Sequence, residues 1–114
     1  MDTTELILLY DYYGELLTGR QQECFEMRYH QDLSLGEIGD ELAISRQGVH
    51  DNLSRAEALL KNMEEKTGCV RRDLQHRRAA ATIRAAAEQL AAVNDDHVSM
   101  LAASILSAAK QIEE

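Results

Sequence analysis

Two short stretches gather the side chains best suited to recognising another molecule. The first, "SRQGVHDNLSR", carries Arg46, Gln47, His50 and Arg55 within ten residues. An arginine fits the paired acceptors of a guanine edge, a glutamine fits the donor and acceptor of adenine, and a histidine reaches a phosphate oxygen. Asp51 stands among them; it suits the amino group of cytosine and sits badly beside a phosphate. The second stretch, "RRDLQHRR", sets Arg71, Arg72, Arg77 and Arg78 around His76. Arginines spread over two helical turns are able to meet RNA phosphates. Each stretch has a plainer alternative, a solvated polar face in the first and a cluster paired with neighbouring carboxylates in the second.

Other chemistries lack their residues. There is no strained nucleophile turn and no glycine-rich phosphate loop, and the acidic residues are scattered over helix surfaces. The four histidines form no ligand pair at helical spacing, and Cys24 and Cys69 form no CxxC. A non-enzyme without metal or cofactor is expected. Unlinked cysteines fit reduced thiols in a cytoplasm. No apolar run approaches the ~20 residues needed to span a bilayer, so membrane insertion is not expected.

The charge is uneven. Up to Gly68 the chain carries 6 basic against 14 acidic residues, whereas the remainder balances 6 against 6. The formal total of −8 opposes indiscriminate attraction to nucleic acid.

The elements that must position these residues are helical. Apolar residues recur at spacings of three and four, proline is absent, and Ala, Leu, Glu and Gln abound, so an all-α chain is expected. Three helix starts are signalled by a cap and a partner three residues on: Asp2 with Glu5, Thr18 with Gln21, and Ser34 with Glu37. The first helix is expected from Thr3 to Leu17, with Leu6, Leu9, Tyr10, Tyr13, Leu16 and Leu17 on its inward stripe. Ile7, Leu8 and Tyr12 add a second apolar strip, which reads as a central core helix covered on more than one side or, alternatively, as Leu8 and Tyr12 meeting a second subunit. The second helix runs to about His30 and the third from Ser34 to Leu42. The fourth follows Ser45 and ends at Gly68, placed for a left-handed cap.

Between the third and fourth helices, Ile38, Gly39, Leu42, Ile44, Ser45 and Val49 supply a helix-turn-helix. They provide a small residue at the close approach, apolar residues flanking the turn "AIS", and a cap. The second helix of such a motif presents its N-terminal residues to the major groove, which here are Arg46, Gln47, His50 and Asp51. Past Gly68 the composition shifts, with alanine at eight of the fourteen positions 79–92. After a break at Asn94 and Asp95, Val98, Leu101, Ile105, Ala108 and Ile112 form a heptad-like stripe. The expected division is a helix-turn-helix domain at 1–68 and an Ala-rich helical hairpin or extension at 69–114.

The segment from Leu6 to Gly68 resembles the YlxM-type family of helix-turn-helix proteins of Gram-positive bacteria, most closely at "DYYGELLT", "DLSLGEI" and "SRQGVHDN". It is more distantly similar to region four of bacterial sigma factors, where the position of Asn52 is usually apolar. The resemblance implies a four-helix domain like that region, with Arg46, Gln47 and His50 in DNA-facing positions. It also implies a regulatory or accessory role in the signal recognition particle pathway, whose GTPase genes the family's genes typically neighbour. The partners it implies are the particle's RNA or its GTPase. Duplex DNA is the partner that the helix-turn-helix itself suggests, and the spare apolar surface on the first helix together with the stripe on the last suggests a homodimer. The alternatives are a sequence-specific transcription regulator and an acidic protein–protein interaction module.

Overall fold

Helices begin where side chains can take up the unpaired amides of a first turn. The computed structural model describes residues 2–113. The Asp2 carboxylate accepts from the Glu5 amide at 2.8 Å and opens α1, Thr3–Tyr13. Thr18 and Gln21 form a reciprocal capping box at the head of α2, Gly19–Tyr29, and Ser34 and Glu37 another at the head of α3, Leu35–Leu42. Ser45 caps α4, Arg46–Thr67; α5 spans Cys69–Ala91 and α6 spans Asp96–Glu113. Among the described residues the chain is all α-helical apart from turns, with no strand. None of these helices is long and apolar enough to cross a membrane.

The first helix is shorter than its sequence pattern predicts. It stops at Tyr13 and tightens into a 3-10 turn, Gly14–Leu16. A side chain at position 14 would come within 3.0 Å of the Tyr10 ring, and the Gly14 carbonyl accepts the Leu17 amide at 3.1 Å and the Gln22 side-chain amide at 2.8 Å. The tighter turn swings Leu16 outward, 56% exposed, while Leu17 remains in the core.

The chain divides into two compact units, Met1–Val70 and Arg71–Glu114. In the first, α4 is the spine against which α1, α2 and α3 pack. Its buried residues Val49, Leu53, Ala56 and Leu60 repeat at helical spacing and meet Phe25 and Ile38 in the core. Phe25 is also stacked on the Tyr10 ring, centroids 4.4 Å apart. Three tyrosine hydroxyls then tie the helices together. Tyr10 donates to Glu26 at 2.6 Å and links α1 to α2. Tyr13 donates to Glu64 at 2.7 Å and shares a bond with Thr67, linking α1 to α4. Tyr29 donates to Glu57 and links α2 to α4. Beyond α4 the chain turns through Gly68 at φ 63°, and Glu64 accepts the Val70 amide at 3.0 Å.

The second unit is built on small residues. Ala80 and Ala87 of α5 and Ala102 and Ala109 of α6 are buried, and Arg84 meets Glu113 at 3.4 Å. Asp95 caps α6 by accepting the Val98 amide. The buried edge of α6 therefore follows Ala102 and Ala109, with Val98 and Leu106 half-buried beside them. The stripe read from sequence corresponds instead to an exposed flank, with Leu101 51%, Ile105 37% and Ile112 48% exposed. Alanine wins the buried edge because close backbone approach needs little bulk; the large residues are displaced to the side.

The tyrosine ties give the fold an alkaline limit. Burial, then the hydrogen bond to a carboxylate, pushes Tyr10 and Tyr29 up to about 12. Burial also raises Tyr13. An unfolded tyrosine ionises near 10, so the stability these hydroxyls contribute is complete below that pH and is lost as pH rises from 10 towards 12. An ultraviolet titration of the four tyrosines should show two ionising about two units late; ionisation of all four near 10 contradicts the half-buried phenol–carboxylate pairs.

Candidate nucleic-acid interface

The presentation of α4 is decided at one backbone contact. A Cβ added to Gly39 would lie 2.7 Å from the Ile44 carbonyl oxygen, well inside van der Waals contact, so only glycine lets α3 meet the following turn this closely. Ala43 ends α3 in a left-handed conformation, φ 57°, and the Ile44 amide returns to the Gly39 carbonyl at 3.0 Å. Arg20 of α2 reaches the Leu42 carbonyl at 3.4 Å, covering the C-terminal end of α3. Ser45 then accepts the Gly48 amide at 2.9 Å and starts α4. Ile38 and Val49, each fully buried, lock the crossing from the two sides.

Asn52 fits this scaffold despite its polarity. It is half-buried, and its amide donates to the Gly48 carbonyl one turn earlier at 2.9 Å. The side chain is thereby satisfied within α4 and asks nothing of the core.

The first turns of α4 hold three of the residues singled out from sequence, Arg46, Gln47 and His50, all exposed. Arg46 lies against α3: a side chain at Gly36 would touch its guanidinium at 3.0 Å. Gln47 donates to the Asp51 carboxylate at 2.9 Å, and His50 stands 3.8 Å from the same oxygen. Arg55 is exposed further along the helix. Ser54, exposed and one turn beyond Asp51, extends the Gln47–Asp51 line; the i, i+4, i+7 spacing from Gln47 is the sequence signal that marks it. The carboxylates of α3 are exposed on their own helix. The Glu37 carboxyl is held below its ordinary value by the hydrogen bond it accepts from the Ser34 amide, then by the Ser34 side chain. With Asp40, Glu41 and Leu33 it lines an open concavity.

The arginines Arg71, Arg72, Arg77 and Arg78 belong to α5 in the second unit and are all exposed. They do not share one face. Arg77 pairs with Asp73 at 3.6 Å, while Arg71 and Arg78, seven residues apart, fall on a different line of the helix. Cys24 is a fully buried free thiol, raised above its ordinary pKa chiefly by burial. Among the described residues no cluster of His, Cys, Asp and Glu is arranged to hold a metal ion.

Comparison with known proteins places this geometry. The profile of a family described as "Putative helix-turn-helix protein, YlxM / p13 like" matches residues 1–97. The chain belongs to that family. The match continues well beyond Gly68, so the family likeness includes α5 and the start of α6, further than the quoted sequence motifs reach. A UPF0122 protein of a Thermoanaerobacter strain is 60% identical over 67 residues, covering 59% of this chain and 57% of that protein. One from Acetivibrio thermocellus is 51% identical over 79 residues, covering 69% of this chain and 68% of its own length. One from Bacillus cereus is 37% identical over 94 residues, covering 82% and 86%. The chain therefore spans little more than half of the first of these relatives.

The turn yields paired stability predictions of opposite sign. Gly39→Ala forces a methyl group against a backbone oxygen and should lower stability by about 1–3 kcal/mol. Ala43→Gly relieves a left-handed alanine and, after the entropy of a freer unfolded chain, should raise it by up to about 1 kcal/mol. Urea unfolding distinguishes them; shifts in the same direction contradict the turn geometry.

Proposed function

We propose that this protein is a nucleic-acid-binding regulator, not an enzyme, whose helix-turn-helix docks α4 in the major groove of duplex DNA. Following the family resemblance, it acts in the cytoplasm as a regulatory or accessory factor of the signal recognition particle pathway. The observation that carries the reading is the exposed N-terminal half of α4, with Arg46, Gln47 and His50 on a scaffold fixed by Gly39. A helix fits the wide major groove of B-form DNA and not the deep, narrow one of A-form RNA. Arg46 is assigned to a guanine edge or an adjacent phosphate, Gln47 to a base edge, His50 and Arg55 to phosphates. Arg71, Arg72, Arg77 and Arg78 are assigned to phosphate contacts, with the particle's RNA as their partner.

The acidity of the first unit limits affinity. Few basic residues surround α4, so few counterions are released on binding, and affinity should be modest with a shallow dependence on salt. The same acidity favours a second reading, an interaction module. The concavity of Leu33, Glu37, Asp40 and Glu41 offers carboxylates to a basic protein such as the particle's GTPase.

Fluorescence anisotropy separates the two. Titration of the protein into random-sequence duplex DNA at low salt should give micromolar binding, weakened about tenfold by Arg46→Ala. Charge reversal of Glu37, Asp40 and Glu41 should leave that binding intact or strengthen it. No binding to duplex or to the particle's RNA, with capture of the GTPase lost on charge reversal, selects the interaction module.

The same reading includes a homodimer, formed through the exposed α6 flank of Leu101, Ile105 and Ile112. That heptad-like spacing suits a helix–helix seam. Light scattering should give twice the monomer mass, reverting to monomer on Ile105→Glu; a monomer in the unaltered protein contradicts it.

A further inference from the structure

The geometry points to Asp51 as the residue that sets what α4 accepts: it restrains Gln47 in the free protein and favours amino bases over keto bases at the position beneath it. This rests on the duplex-binding reading above. The Gln47 amide donates to Asp51 Oδ1 at 2.9 Å, and the His50 ring nitrogen is 3.8 Å from that same oxygen. One carboxylate oxygen thus accepts from Gln47 and is faced by His50, in the middle of the surface that would enter the groove. The Asp51 side chain is 54% exposed and that of His50 61%, so the arrangement faces solvent and any ligand that replaces it.

Two consequences follow from the chemistry of these groups. Gln47 reads adenine through its amide nitrogen and oxygen together, to N6 and N7. One of the two N–H groups is held by Asp51, which fixes the side chain's orientation and leaves the second N–H and the carbonyl oxygen to the base. The carboxylate, for its part, is an acceptor only. Cytosine N4 and adenine N6 present amino donors to it in the major groove, whereas guanine O6 and N7 and thymine O4 present acceptors. A cytosine or adenine below Asp51 therefore donates to a carboxylate oxygen while Gln47 keeps its own bond to Oδ1. A guanine or thymine there sets lone pair against lone pair and leaves Gln47 where it was. Phosphates are repelled in the same way, which lowers binding to unselected sequence.

Selection from a randomised duplex library with the full chain tests this. The unaltered protein should enrich C or A over G or T at one position by about tenfold. Asp51→Ala should remove that preference and raise affinity for random-sequence duplex severalfold. Asp51→Asn, able to donate as well as accept, should also accept keto bases, which separates acceptor chemistry from side-chain bulk. In a Gln47→Ala background the loss of preference on Asp51→Ala should persist, because the carboxylate itself meets the base. An unchanged base profile in Asp51→Ala and Asp51→Asn overturns the inference while leaving duplex binding standing. Failure of every variant to bind duplex at low salt overturns both.

Discussion

The close approach of Gly39 to the Ile44 carbonyl is the constraint on which the rest of the first unit depends. It brings the end of α3 against the turn, which allows Ala43 to reverse the chain and Ser45 to start α4 at a fixed angle. With that angle set, Val49, Leu53, Ala56 and Leu60 fall inward on one side of α4, and Gln47, Asp51 and Ser54 necessarily fall outward on the other. The tyrosine hydroxyls act after this placement. They connect α1 and α2 to a spine whose direction is already determined, and two of their carboxylate partners, Glu57 and Glu64, lie on α4 itself.

The scaffold and its charge pull in different directions. The motif offers a helix of the right shape for a groove, while the surrounding carboxylates discourage close approach to phosphates. Within α4 this tension is resolved locally: Asp51 is engaged by Gln47 and faced by His50 instead of standing alone. Asn52 shows the same economy, turning back to the Gly48 carbonyl. A surface organised in this way relies less on bulk electrostatic attraction and more on matching individual hydrogen-bonding groups.

Much of this was legible in the sequence because it depends on local chemistry. The caps at Thr18, Ser34 and Ser45, the glycine at 39 and the stop at Gly68 each act within a few residues of themselves, and all stand where the pattern put them. The misplacements came where distant contacts decide. The first helix ends early because Gly14 sits beneath the Tyr10 ring and gives its carbonyl to Gln22, which no periodicity records. On α6 the sequence pattern assigns the bulky stripe to the first four helices or a partner chain, and nothing in it marks the alanine edge that is buried. Small residues carry little signal in a hydrophobic pattern, although they allow the closest packing. Among the candidate contact residues, the sequence named Arg46, Gln47 and His50 from motif position alone. It had no means of showing that Arg46 rests on Gly36 or that Gln47 is held by Asp51, since both depend on side-chain orientation.

The central claim is that the outward face of α4 is the surface that meets nucleic acid. Backbone amide shifts followed during titration with a short DNA duplex test it most directly. The account predicts the largest changes at Arg46 to Asp51 and at Ser54, with smaller ones near Gly36. Changes confined to Glu37, Asp40 and Glu41, or none in α4 at saturating duplex, would contradict it.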